Sequence, residues 1–213
     1  MIRLLGKIRL SGFFLVLLTF FVAQIAKINL AVPFFIFSVY LYLKSRGLIA
    51  KNCNLVNLSF LFLLNFTGGY FVCVNNLPLY LIPFTLPSMI LMLLFGSLEL
   101  SLIVSLALAV SLASISLFPL EIIIFFIISS IVSSILVKGA RKRNTVINAG
   151  ILTGLIQAVI LLFMGNINIG ISYKSLFFLA NGLLASIIVL GVLPIFEYLF
   201  KAVTNISLLE LAD

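Results

Sequence analysis

Eight long apolar runs constrain this chain more than any motif in it. They cover approximately residues 10–26, 28–43, 55–74, 79–95, 98–117, 120–137, 146–165 and 175–193, with short polar breaks between them. A bilayer core of roughly 30 Å is crossed by about 20 apolar residues in a helix, so each run has a length that lipid selects. Period-two alternation is absent, and the runs exceed the roughly 10 residues of a barrel strand. Within hydrocarbon a spanning segment must satisfy its own backbone amides, which leaves helices. With 64% hydrophobic and 8% charged residues, the 213-residue chain carries more apolar surface than a soluble domain of its size can bury. The expected fold is all-α, a polytopic transmembrane bundle of seven helices plus an N-terminal hydrophobic anchor.

The basic residues orient the bundle. With a cytoplasmic N-terminus and every run spanning, Arg3, Lys7, Arg9, Lys44, Arg46, Lys51, Lys138, Arg141, Lys142, Arg143 and Lys201 fall inside, and only Lys27 and Lys174 fall outside. Eleven against two is the asymmetry of a positive-inside membrane protein. It places both termini in the cytoplasm, with the lipid bilayer as the chain's first partner. The net charge of +8 then needs no nucleic acid to explain it. The opening "MIRLLGKIRL" and the run behind it also have the layout of a secretory signal, but Gln24 would occupy the −3 position of a cleavage after Ala26, so an uncleaved anchor is favoured. The expected segments are 1–27 as anchor, 28–199 as bundle and 200–213 as cytoplasmic connector.

Chemistry is sparse. The chain has no histidine, and its acidic residues, Glu99, Glu121, Glu197, Glu210 and Asp213, stand at helix ends or in the tail. No histidine-based triad, two-histidine metal site or mid-membrane carboxylate pair can be assembled from these residues. No catalytic residue, metal or cofactor is therefore expected, and the chain is read as a non-enzyme.

Two sets of interior residues stand out. Ser101, Ser105 and Ala109 recur every four residues, and Gly150 with Gly154 forms a GxxxG pair, both patterns that let helices approach closely. Intramolecular packing is the first reading of these faces and a homodimer the alternative. The second set is polar or helix-breaking: Asn65 and Thr67 in "NFTGGY", Pro83 and Pro87 in "LPLYLIPFTLPSM", then Gln157 and Asn181. Proline removes an amide donor, so the fourth run must bend or open and leave carbonyls that need partners. A hinge, or a ligand path against Asn65, Gln157 or Asn181, would follow.

The end of the chain, "LPIFEYLFKAVTNISLLELAD", starts a new helix just before the sequence stops. Pro194 falls at the inner interface, Glu197 and Lys201 have the i,i+4 spacing of a helix ion pair, and a juxtamembrane helix is expected to continue to Val203. Ser207 and Glu210 have the S-x-x-E spacing of a capping box. This stretch resembles the end of the membrane module in bacterial seven-transmembrane receptors with an intracellular HD hydrolase domain. Pro194, Glu197, Leu199, Phe200, Thr204, Leu208, Leu209, Glu210, Leu211 and Asp213 occupy the matching positions. "LIPFTLPSMILMLLFG" and "KGARKRN" also resemble family stretches, so the likeness runs from about Ile28 to Asp213.

The resemblance implies a sensing and anchoring module that positions or regulates a fused or associated HD phosphohydrolase, active on cyclic di-AMP in relatives. It also implies a bacterial inner membrane, and together with the helix-pair and capping spacings it makes Pro194, Glu197, Lys201, Thr204, Ser207, Leu208, Leu209 and Glu210 the expected signal-coupling residues. Two departures from the family pattern are evident. Only a few residues around Lys27 stand where members carry an extracytoplasmic domain, and an HD domain would have to begin after Asp213. A small-solute transport subunit is the alternative function.

Overall fold

The computed structural model describes residues 31–45, 55–117, 119–164 and 169–212. The run at 10–26, with its anchor reading, and the residues around Lys27 lie outside the described residues. Eight α-helices follow one another within them: α1 (Ala31–Ser45), α2 (Leu55–Val74), α3 (Leu86–Phe95), α4 (Leu98–Ala113), α5 (Pro119–Val137), α6 (Arg143–Met164), α7 (Ile169–Phe200) and α8 (Asn205–Ala212). A single 3-10 turn, Leu79–Leu81, precedes α3, and no strand occurs among the described residues.

Among the described residues four stretches are long and apolar enough to cross a bilayer: Asn57–Val74, Pro119–Val137, Arg143–Phe163 and Leu176–Phe200. Their outward faces carry large apolar side chains such as Phe60, Phe71, Leu184 and Ile187, about half exposed. On a soluble protein a surface of that kind would drive association, whereas here it is the contact with lipid.

The fourth run opens rather than bends, the second of the two outcomes its prolines allow. Its first part is the 3-10 turn, and α3 begins only at Leu86 and has 10 residues, about 15 Å at 1.5 Å per residue, half a bilayer core. The cause is local. Pro83 precedes the start, Thr85 takes the N-cap position, and Pro87 occupies the first turn, where a missing amide costs nothing. Gly96 then ends the helix with φ 62°, its N–H on the Met92 carbonyl at 2.9 Å. Eight of the ten residues of α3 are buried, because α2, α4, α5 and α7 all pack against it.

Helix α4 starts at Ser97, whose hydroxyl accepts from the Leu100 amide at 3.3 Å, with Glu99 in the first turn against the positive end of the helix dipole. Helices α6 and α7 make the most extensive pairing in the molecule. A residue beyond glycine does not fit there. A Cβ on Gly150 would stand 2.5 Å from the Gly182 carbonyl, and one on Gly154 2.8 Å from the Leu179 carbonyl. The GxxxG pair is thus spent within the chain and leaves no room for a second copy at that face.

At its far end α7 continues through Pro194 but stops at Phe200, three residues before the expected Val203. The stop is a Schellman arrangement: Ala202 N–H reaches the Glu197 carbonyl at 3.1 Å and Lys201 N–H the Tyr198 carbonyl at 3.3 Å. Lys201 accordingly takes φ 51°, a left-handed conformation that costs a non-glycine residue roughly 1–2 kcal/mol.

Candidate functional site

The break before α3 is the first candidate, because a helix opened inside a membrane exposes carbonyls. Two of them, on Tyr80 and Ile82, accept from the Asn181 side-chain amide of α7, the latter at 2.9 Å. Asn181 therefore acts as a strut for the opened segment. The aromatic ring of Phe84, fully buried, fills the same break between Phe125, Phe126 and Phe178, with centroids at 5.4, 5.0 and 6.4 Å. Offset and edge-on pairs of this kind are worth roughly 0.5–1.5 kcal/mol beyond the area they bury.

One turn into α3 a ladder of hydroxyls crosses the bundle. Ser88 of α3 meets Ser133 of α5 at 2.7 Å, and Ser101 of α4 meets Ser134 of α5 at 2.5 Å. Gln157 of α6 donates to Ser129 of α5 at 2.6 Å, and all of these residues are buried. Of the residues expected on a ligand path, Pro83, Pro87, Gln157 and Asn181 thus come to the interior around α3. Asn65 and Thr67 do not join them. Each donates to a carbonyl of its own helix, Leu61 at 2.8 Å and Leu63 at 2.7 Å, and Thr67 is exposed.

The connector is the second candidate. Glu197, expected to pair with Lys201, instead accepts from α8 and the turn before it. The Ser207 hydroxyl lies 2.7 and 2.8 Å from its two oxygens, and the Thr204 amide donates at 2.9 Å. The left-handed turn at Lys201 is what folds α8 back within reach. Ser207 is consequently no N-cap. It is the third residue of α8, and its amide points at the Thr204 hydroxyl at 3.4 Å, so Thr204 caps the helix.

Glu210 does not complete a capping box either. It forms a two-pronged ion pair with Arg143 at the start of α6, Nε to Oε1 at 2.6 Å and Nη2 to Oε2 at 2.8 Å. The guanidinium hydrogen bond holds the Glu210 carboxyl below its ordinary value of 4.5, against an opposing desolvation and with a smaller Coulomb contribution from the same charge. Ile206 is buried, while Leu208 and Leu209 are exposed. Pro194 lies within α7, three residues before Glu197.

Three contacts had no sequence signal that named their partner: Arg143 with Glu210, Asn57 with the Leu199 carbonyl, and Tyr42 with Glu99 at 2.6 Å. Among the described residues no three His, Cys, Asp or Glu side chains gather where they could hold a metal ion.

A family model, 7TM receptor with intracellular HD hydrolase, matches residues 20–204 of the chain. No curated protein and no solved structure matches it.

Proposed function

The chain belongs to the family of 7TM receptors with an intracellular HD hydrolase, and on that premise we propose that it senses within the membrane and positions a cytoplasmic HD phosphohydrolase through α8. Cyclic di-AMP is the proposed substrate of that hydrolase. The chain itself is proposed to contribute no hydrolytic chemistry. The observation that carries the reading is the clasped connector. The last matched residue, Thr204, caps α8, and α8 is tied to both α6 and α7 by Arg143–Glu210 and Glu197–Ser207. An element held at two points of a bundle follows movements of that bundle, which a loose tether would not.

Orientation is proposed from the same contacts. Arg143 belongs to the basic stretch Lys138–Arg143, and its pairing with Glu210 supports a common side for that stretch and the connector. The positive-inside asymmetry makes that side the cytoplasm.

The test is a chimera with an HD domain attached after Asp213, assayed for manganese-dependent hydrolysis of cyclic di-AMP in membranes and as the soluble domain alone. The expected result is a different rate in the two settings, and return of the chimera to the soluble rate when two glycines are inserted after Phe200. Equal rates with and without the bundle would reduce the module to an anchor. The chain without that domain should show no turnover above a protein-free control.

A further inference from the structure

Four oxygens in the bundle interior make no hydrogen bond to the protein: Thr85 Oγ1, Ser105 Oγ, Ser130 Oγ and Gln157 Oε1. All four residues are at most 1% exposed. Their places in the helices bring them to one level. Ser101, near the start of α4, touches Ser134, near the end of α5, so these helices run antiparallel, and one turn further along Ser105 and Ser130 take the facing positions. Helix α3, joined to α4 by a tight turn at Gly96, runs parallel to α5 and touches it through Ser88 and Ser133. Thr85, three residues before Ser88, therefore lies at the level of Ser130, three before Ser133. Ser129, next to Ser130, holds the Gln157 amide nitrogen and leaves its oxygen over.

Charge decides what can occupy such a place. An ion there would have no charged partner among these four side chains, and an unpaired charge in hydrocarbon surroundings is costly. The N-terminal amides of α3 at Thr85 oppose a cation, and the Gln157 oxygen, an acceptor only, opposes an anion. Size decides the rest. The hydroxyl contacts of 2.5 and 2.7 Å one turn away hold the helices close, which favours a molecule of very few atoms. The ligand must be uncharged, small, and able both to donate to the Gln157 oxygen and to bond hydroxyls.

We infer that Thr85, Ser105, Ser130 and Gln157 form a binding site for water where α3, α4, α5 and α6 meet. A buried water makes about three hydrogen bonds, so one or two molecules satisfy the four oxygens. The site stands independently of any HD partner. It also differs in kind from the direct serine contacts beside it, because a water bridge can lengthen or change partner while the helices shift.

The experiment is water-edited solid-state NMR on the full chain in lipid bilayers, reading magnetisation transfer from water to threonine methyls. Two residues calibrate it. Thr145 is exposed beside Arg143, and Thr153 is as buried as Thr85 but bonded to the Ala149 carbonyl at 2.6 Å. Transfer to Thr85 should approach that of Thr145 and slow toward that of Thr153 in a Ser105→Ala, Ser130→Ala variant. Transfer to Thr85 as slow as to Thr153 in the unaltered chain would overturn the site, and so would transfer that the double variant leaves unchanged. Should the variant fail to fold, the comparison within the unaltered chain decides alone.

Discussion

Helix α7 is held in two different ways along its length. Near its middle, Gly182 lies against Gly150 and Gly154 so closely that a single added carbon would collide with backbone. At its end, Glu197 and the turn that follows are joined to α8 by hydrogen bonds, and α8 to α6 by an exposed ion pair. The first junction is set by shape, and shape has no tolerance. The second is set by polar groups whose strength depends on pH, salt and competing partners. A sensing module needs both: a seam that moves as a unit, and a joint that can be released.

The comparison breaks most directly at Gly182. Gly182→Ala places a Cβ 2.7 Å from Gly154 N and Cα, atoms that move only if the helices separate, so a loss of about 1–3 kcal/mol is expected and a larger one for Gly182→Val. Gly191, on the same helix, has nothing within 4 Å of an added Cβ. Gly191→Ala should therefore leave stability unchanged or raise it by up to about 1 kcal/mol through helix propensity. Thermal unfolding in detergent reads both. Equal effects at the two positions would show that α7 is not seated by shape.

The strut at Asn181 is the next largest effect, and it sharpens the distinction because it is polar yet internal. Asn181→Leu takes the side-chain donor from the Tyr80 carbonyl and leaves the Ile82 carbonyl with the Phe84 amide alone, for an expected loss of roughly 1–3 kcal/mol. Asn65→Leu removes only a bond to the carbonyl one turn back in its own helix, and should be close to neutral in the same unfolding assay. If the two losses are equal, the opened segment before α3 does not depend on α7.

These contrasts also mark what the sequence could and could not convey. Long apolar runs are legible because lipid imposes a length and a composition on them, and the runs at 55–74 and 120–137 reappear as α2 and α5 within a residue. The prolines of the fourth run announced a bend or an opening without saying which, and the chain opens there. Pro83 and Pro87 are alike in sequence, but the first stands before the N-cap Thr85 and the second within the first turn of α3. The GxxxG pair was legible as a close approach, and its partner Gly182 was not, since one glycine in an apolar run has no spacing to announce it. The connector was legible in composition and wrong in wiring. Ser207 and Glu210 have the spacing of a capping box, yet Thr204 stands three residues earlier and takes the cap, and Arg143, 67 residues away in sequence, claims the carboxylate. No local pattern encodes a pairing over that distance.

The smallest effect on overall stability belongs to the Arg143–Glu210 clasp, and it tests the second half of the comparison. Both groups are about half exposed, so breaking the pair should leave the unfolding midpoint of the bundle nearly unchanged. The readout is hydrogen exchange at the amides of α8. Glu210 has its carboxyl pKa lowered in the folded state, so the sign is fixed: the pair contributes fully above the ordinary value of 4.5, and its contribution is lost as the pH falls through the lower, folded-state pKa. Protection of α8 should decline over that acidic range, and also in high salt at neutral pH, where an exposed pair is screened. Arg143→Gln should lower protection at neutral pH and remove that part of the acid and salt dependence. The exchanged pair, Arg143→Glu with Glu210→Arg, should restore it, since the two side chains can meet in either order. If protection is the same in the unaltered chain and in Arg143→Gln at every pH, then α8 is held by the Glu197 hydrogen bonds and buried Ile206, without help from the ion pair. A release that depends on this ion pair would then be no part of the proposed coupling.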